Sequence, residues 1–268
     1  MPTCDACAVA KAKQKSVPNE SAHVAAVKPN LPVKVPSQLS LLPQQHWKII
    51  MDECMQLKFS HFVSTKNGMA EPTCGLFKKW QQAGMPVGGE NKLLEKKASS
   101  KHWQLGLKFK YMARDTPQQN HLAELGFAQL ANKGRALLVA ANVPLELCYQ
   151  LWHEAFKTAT LLDGLVVIKL HGIVKTHFEH WGGVIPKFAD HLQTWGEAGI
   201  VKTKNIGMPK LADRGVMCMF VGNSTAHDGA CYRMWHGTAQ GKGNTIYVTW
   251  DVLWLHHMFF QTHLSLAE

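Results

Sequence analysis

The stretch from Gln118 to about Leu162 constrains this chain more than any other. It carries apolar residues at helical spacing over a length that Pro144 interrupts once. Proline lacks a backbone N–H and holds φ near its helical value, so it suits the first turn of a helix and breaks one further in. Two helices are therefore predicted. The first runs from about Gln118 to Ala141, and the second starts at Pro144 and reaches about Leu162. Leu147, Leu151, Ala155 and Thr158/Ala159 give the second helix an inward face.

The flanking regions have other periods. Trp47–Cys54 reads as a strand and Ser60–Thr65 as its hairpin neighbour. After Glu71-Pro72, the residues Leu76, Phe77 and Trp80 recur at helical spacing until Gly84. Gly88-Gly89 marks a turn, Leu93–Ala98 a short helix, and Leu105–Met112 alternates as a strand. Residues 164–191 follow no regular pattern. From about Trp195 onward, short apolar runs alternate with Gly-rich turns: Val216–Val221, Cys231–Trp235 and Thr245–Trp250. That spacing suits a small antiparallel barrel. No internal repeat is present.

Composition sets broad limits. The formal charge is +10, which suits a polyanionic partner such as DNA or RNA as well as a merely solvated basic surface. The opening Met1-Pro2-Thr3-Cys4-Asp5 is polar with no apolar segment behind it, so no secretory signal is expected. Leu165-Val166-Val167-Ile168 is among the longest apolar runs, far short of a bilayer span. Seven cysteines, an odd number, fit reduced thiols better than a disulfide framework. The expectation is a soluble intracellular chain, nuclear or cytoplasmic, with no membrane partner and no small-molecule substrate. Residues 1–46 combine Lys11, Lys13, Lys15, Lys28 and Lys34 with Pro18, Pro29, Pro32, Pro36 and Pro43, and read as a basic linker rather than a core.

One ordered series of motifs is far more specific. Thr116-Pro117-Gln118-Gln119-Asn120-His121-Leu122-Ala123-Glu124 resembles the TPQQNxxAE motif of copia-type retrotransposon integrases. Ala131, Arg135–Leu138, Asn142-Val143-Pro144 and Leu151–Ala155 sit where that family has its A-RAML-A-LP-WxEA pattern. Trp181-Gly182-Gly183 with Pro186 resembles its WxGxxP, and Trp195-Gly196 stands where its FG does. Lys210–Gly215, Cys218–Gly222, Tyr232-Arg233 and Asp251-Val252 resemble KLDxRG, CxFVGY, YR and RDV. Order and spacing hold from about Trp47 to Phe260.

The resemblance implies an α/β fold: an RNase H-like integrase core, here an incomplete mixed sheet with flanking helices, followed by a small antiparallel, SH3-like barrel. The expected division is a linker over 1–46 with a remnant CxxC, a truncated core over 47–163, a connector over 164–190, the barrel over 191–262 and a tail over 263–268. It also implies DNA as partner, Mg²⁺ or Mn²⁺ as cofactor in the intact family, and an oligomer. Strand transfer displaces a phosphodiester in line, with two metals clamping the attacking and leaving oxygens. Such ions take hard oxygen ligands, so the family needs three converging carboxylates.

Glu124, at the end of the motif, matches the glutamate and is the catalytic and metal-binding candidate. The second aspartate normally precedes a GGE turn. Here Gly88-Gly89-Glu90 survives, but the Asp-Asn and the apolar strand before it are absent. The first aspartate belongs on a strand ahead of Trp47, where this chain has Leu31–Gln38, rich in proline and free of carboxylates. Indeed no acidic residue lies between Glu20 and Asp52. Asp52, Glu53, Glu90 and Asp115 are the neighbouring carboxylates, and Asp52 and Glu90 with Glu124 are the set that would have to replace the lost ligands. Asp52 stands where an acid is ordinary in the family, and Asp115 precedes Thr116-Pro117 as a turn or cap residue would. Two of three ligands are missing, so the metal is expected to be lost and the chain to be catalytically inactive.

Nucleic-acid contact is a separate matter. At about 100° per residue, Arg135 falls on nearly the same helix face as Glu124, and Lys133 on the opposite one. Asn120, Arg135 and Lys133 are candidate phosphate contacts, with Lys96 and Lys97 as a second cluster, and each reads equally as a solvated polar residue. Cys4 and Cys7 form a CxxC whose family histidines lie upstream. Without four ligands no structural zinc site is expected. Fifteen histidines show no HExxH spacing. Two further readings stand beside the inactive integrase: a DNA- or protein-binding module without enzymatic activity, and a decayed relic that folds poorly because central sheet strands are gone.

Overall fold

The structure, a computed structural model, describes residues 46–52, 54–65, 68, 70–82, 84, 88–89, 108–109, 121–202, 215–224, 231–237 and 244–261. In chain order these hold β1 (His46–Met51), β2 (Lys58–Val63), α1 (Ala70–Gln82), β3 (Gly88–Gly89), β4 (Lys108–Phe109), α2 (His121–Ala140), α3 (Leu145–Gly164), β5 (Val167–Leu170), β6 (Ile173–Thr176), α4 (His177–Gly182), a 3-10 turn at Lys187–His191, β7 (Glu197–Lys202), β8 (Gly215–Asn223), β9 (Tyr232–His236), β10 (Thr245–Thr249) and β11 (Val252–Met258). The class is mixed α/β with small sheets. Two compact units meet in sequence at residues 131/132, 155/156 and 189/190, so α2 and α3 each lend residues to both.

The first unit is built on the β1–β2 hairpin, paired from His46↔Val63 to Met51↔Lys58. Successive side chains point to opposite faces of a strand. On one face Trp47 meets Phe127 of α2 edge-on at 5.0 Å and Phe156 of α3 at 4.9 Å. On the same face Ser60 shares a 2.6 Å hydrogen bond with Thr160. Gly126 lets α2 approach closely, because a Cβ there would stand 3.3 Å from the Lys58 side chain and 3.4 Å from Met51. On the other face Phe59 packs on Trp80 of α1 at 4.8 Å. Helix α1 turns Ala70, Thr73, Cys74 and Phe77 inward, the i, i+3, i+4, i+7 stripe that a half-buried helix requires. The hairpin is thus enclosed between helices on both faces.

The Gly88-Gly89 pair is a strand and not the turn read from sequence. It lies parallel to β4. The irregular stretch after α3 also holds regular structure. Strands β5 and β6 form a hairpin around His171 and Gly172, with φ of 49° and 83°. Positive φ at both central residues is what a tight hairpin turn of matching twist needs. Helix α4 then opens with a capping box between Thr176 and Glu179 and closes on Gly183 in the left-handed region.

In the second unit α2 ends at Asn142, whose φ is 53°. The Val143 amide bonds the Leu138 carbonyl at 3.1 Å and the Asn142 amide bonds Val139 at 3.0 Å, closing the orphan carbonyls of the last turn. Helix α3 begins directly after Pro144, whose carbonyl accepts from Leu147 and Cys148. Five antiparallel strands follow in the order β10-β9-β8-β7-β11.

Among the described residues this sheet is open, not the closed barrel expected from the sequence, since β10 and β11 are not paired. It is nonetheless strongly curled. The two edge strands are four strand spacings apart, about 19 Å on a flat sheet. Yet only Trp250 and Asp251 separate Thr249 from Val252, a span of about 11 Å at most. A bulge in β8 between Phe220 and Gly222 helps the strand bend, with Gly222 at φ 134°. Inside the curl Val201, Cys218, Phe220, Tyr232 and Met234 form the core, with Val216, Tyr247, Val252 and Trp254 against them. Phe220, Tyr232 and Trp254 meet mutually edge-to-face at 5.1–5.9 Å, a geometry that rings favour.

Candidate functional site

Glu124 stands in the first turn of α2 and is exposed. A carboxylate is favoured there because the unpaired amides of a helix start carry partial positive charge. The packing of Gly126 and Phe127 on the β1–β2 hairpin fixes this end of the helix and turns Glu124 outward. The remaining candidates are more scattered. Arg135 and Lys133 are exposed farther along α2, within the second unit. Asn120, Lys96, Lys97, Glu90, Asp115, Cys4 and Cys7 lie outside the described residues. Asp52 is a turn residue: its carboxylate accepts from the Met55 amide at 2.6 Å, and its own amide bonds Leu57 at 2.9 Å.

A two-metal centre needs converging oxygen ligands. Among the described residues no group of three or more His, Cys, Asp or Glu side chains converges to hold an ion. Glu124 therefore has no set of partners there, and the described residues do not fit the group.

Other polar groups are brought together that periodicity did not reveal. In the first unit Lys58 donates to Asp163 at 2.8 Å, with both side chains nearly fully buried. His177, at the start of α4, is buried with its Nδ1 against the Met55 carbonyl. Lys48 donates to Thr73 of α1 at 3.2 Å, and burial pushes its pKa down, with Cys74 opposing. His61 lies opposite Lys48 in the hairpin register. Its Nε2 is buried with no hydrogen-bond partner among the described residues. Burial, and then the charge of Lys48, hold its pKa below the ordinary value of 6.5.

In the second unit Glu154 of α3 receives two hydrogen bonds from the Arg233 guanidinium of β9, one of them at 3.1 Å, and is buried. Burial alone would raise this carboxyl. The hydrogen bonds from His153 and Arg233, with the charge of both, outweigh it and hold the pKa at about 2. One turn earlier, Gln150 accepts from Asn244 at 2.7 Å, and Asn244 accepts from the Trp235 indole at 2.9 Å. Trp195 donates to the Val221 carbonyl at 3.1 Å, and the Gly196 amide to Phe220 at 2.9 Å. At Gly196 (φ 92°) a Cβ would collide with Ala141, at 2.3 Å. The sequence does carry a signal for these contacts. Glu154, Arg233, Trp195 and Gly196 are all members of the motif series, although the residues alone did not say that they meet.

No protein-family model matches the chain. No curated protein matches it in sequence. Among solved structures, it is similar to a chain of the CryoEM structure of the simian T-cell lymphotropic virus intasome in complex with PP2A regulatory subunit B56 gamma. The identity is 13% and the TM-score 0.36, over 76% of this chain and 70% of that one. A likeness this low supports no argument about fold or function. The described residues also contain no helix long and apolar enough to cross a membrane.

Proposed function

We propose that the chain derives from a copia-type integrase, joining an RNase H-like core without the two strands that would carry its aspartates to an SH3-like barrel, and that it binds DNA without catalysing strand transfer. The observation that carries this reading is the meeting of motif residues that are far apart in sequence. Glu154, from the WxEA match, pairs with Arg233, from the YR match, across 79 positions. Trp195-Gly196 likewise bonds to Phe220 and Val221 of the CxFVGY match. A chance run of short motifs has no reason to converge in this way.

Topology supports the same reading. Strands β7 to β10 form a meander, and β11 returns beside β7, an arrangement in which a short five-stranded sheet can curl toward a barrel. In the first unit the described residues hold a hairpin and a separate parallel pair rather than one sheet, as expected of a mixed sheet that has lost strands. Glu124 is the surviving glutamate, and the two aspartates are absent from the sequence. Arg135, Lys133, Lys96 and Lys97 are the proposed backbone contacts by charge, with Asn120 beside them by hydrogen bonding, and none of them reads bases.

The test is a duplex-binding titration by fluorescence anisotropy between 50 and 200 mM salt, run beside a strand-transfer assay with Mg²⁺ and Mn²⁺. Binding that weakens steeply with salt and no strand transfer is the expected result. Salt-independent binding would refute the backbone-contact mode. Strand transfer that disappears in Glu124→Gln would refute the loss of catalysis.

A further inference from the structure

The Lys48–His61 pair has no place in the reading above. Directly paired positions of an antiparallel hairpin bring their Cβ atoms to about 5 Å, and Lys48 and His61 are such a pair. Both point to the face that α1 covers, where Thr73 and Cys74 are fully buried. Lys48 is satisfied by the Thr73 hydroxyl. His61 leaves its Nε2 buried with no partner among the described residues. Beside His61 stand Lys48 and, two positions along β1, His46. From α1 come the Thr73 hydroxyl and the Cys74 thiol, while Glu71, Lys78 and Lys79 of that helix are exposed. The Lys58–Asp163 pair belongs to the opposite face, toward α3, and His177 of α4 bonds the turn at Met55.

We propose that Lys48 and His61 form an acid-sensitive latch, in which protonation of His61 places a second cation beside Lys48 under α1 and releases that helix from the hairpin. Two cations at this spacing repel, and both are half-buried against α1, so water screens the repulsion only in part until the face opens. The direction follows from linkage. A histidine held below its ordinary pKa binds fewer protons folded than unfolded. Its contribution to stability is therefore complete above pH 6.5 and is lost as pH falls below it. At pH 5.5 the closed-to-open ratio can fall by up to about tenfold relative to pH 7.5.

Hydrogen exchange of the full chain, corrected for the intrinsic pH dependence of amide exchange, tests this. Amides of 46–63 and 70–82 are expected to lose protection, by at most about tenfold, between pH 7.5 and 5.5, while those of 215–223 and 232–236 hold theirs. His61→Leu should abolish that difference, and Lys48→Met should shrink it. If His61→Leu does not fold, the His61 ring resonance is followed by NMR in the unaltered protein. A midpoint below 6.5 that moves upward in Lys48→Met supports the latch. A midpoint at or above 6.5, equal loss of protection in both regions, or unchanged pH dependence in His61→Leu overturns it.

Discussion

The two units treat buried charge differently. Around the five-stranded sheet, Glu154 is answered by Arg233 and His153, and Trp235 and Gln150 both bond to Asn244. Around the β1–β2 hairpin, Lys58 is answered by Asp163, but Lys48 has a neutral hydroxyl and His61 has nothing among the described residues. An unpaired buried polar group costs about 1–3 kcal/mol, whereas a paired one is roughly neutral to modestly favourable. The difference matches the sequence. Glu154, Arg233, Trp195 and Gly196, which belong to the motif series, meet around the five-stranded sheet, whereas Lys48 and His61 belong to no motif. Two strands alone leave both faces to be covered, and the helices that cover them enclose polar side chains along with the apolar ones.

The comparison can be broken most directly at its strongest charges. Arg233→Met leaves the Glu154 carboxylate buried without its guanidinium and should cost about 3–5 kcal/mol, read as a lower thermal midpoint. Asp163→Ala should cost a similar amount in the hairpin unit. The double change Lys58→Met with Asp163→Leu should recover most of it, because two apolar groups replace two charges. If the single and double variants melt alike, the Lys58–Asp163 pair is not what its burial implies. Next in size is Phe220→Ala, at about 3 kcal/mol, because it opens a hole where Tyr232 and Trp254 meet.

Acid sharpens the contrast further. Glu154 titrates at about 2 folded against 4.5 ordinarily, so its contribution is present above pH 4.5 and is lost as pH falls through about 2. That is about 3 kcal/mol, to be read by circular dichroism during acid titration. The hairpin unit should loosen first, below pH 6.5. If both units lose structure together near pH 6, the difference between them fails. The smallest effect is Glu124→Gln. The residue is exposed on a helix's first turn, so the melting midpoint should shift by less than about 0.5 kcal/mol equivalent. A large shift would mean that Glu124 has a structural partner.

The long elements were legible because their period is strong. Helix α2 runs over 121–140 against an expected 118–141, and α3 over 145–164 against 144–162, since Pro144 punctuates the chain by backbone rules alone. The β5–β6 hairpin was missed because its turn is His171-Gly172, where histidine stands in the positive-φ position that asparagine usually marks. Gly88-Gly89 reads as a turn from composition, and only pairing with β4, across a gap that sequence cannot bridge, makes it a strand. Of the candidate site, Glu124 was singled out by its motif, and it stands exposed in the first turn of α2. The Glu154–Arg233 and Lys48–His61 pairs were not, because cross-strand and helix-to-strand partners depend on register, which one sequence does not reveal.

The two-residue link at Trp250-Asp251 has a practical consequence. It acts as a tether that keeps β11 at a high effective concentration beside β7, though the strands it joins are opposite edges of the sheet. Nicking the backbone there would leave every side chain in place and turn the last strand into a detachable peptide. An added synthetic copy of 252–261 could then exchange with it, which would make the closing strand of this sheet a replaceable part.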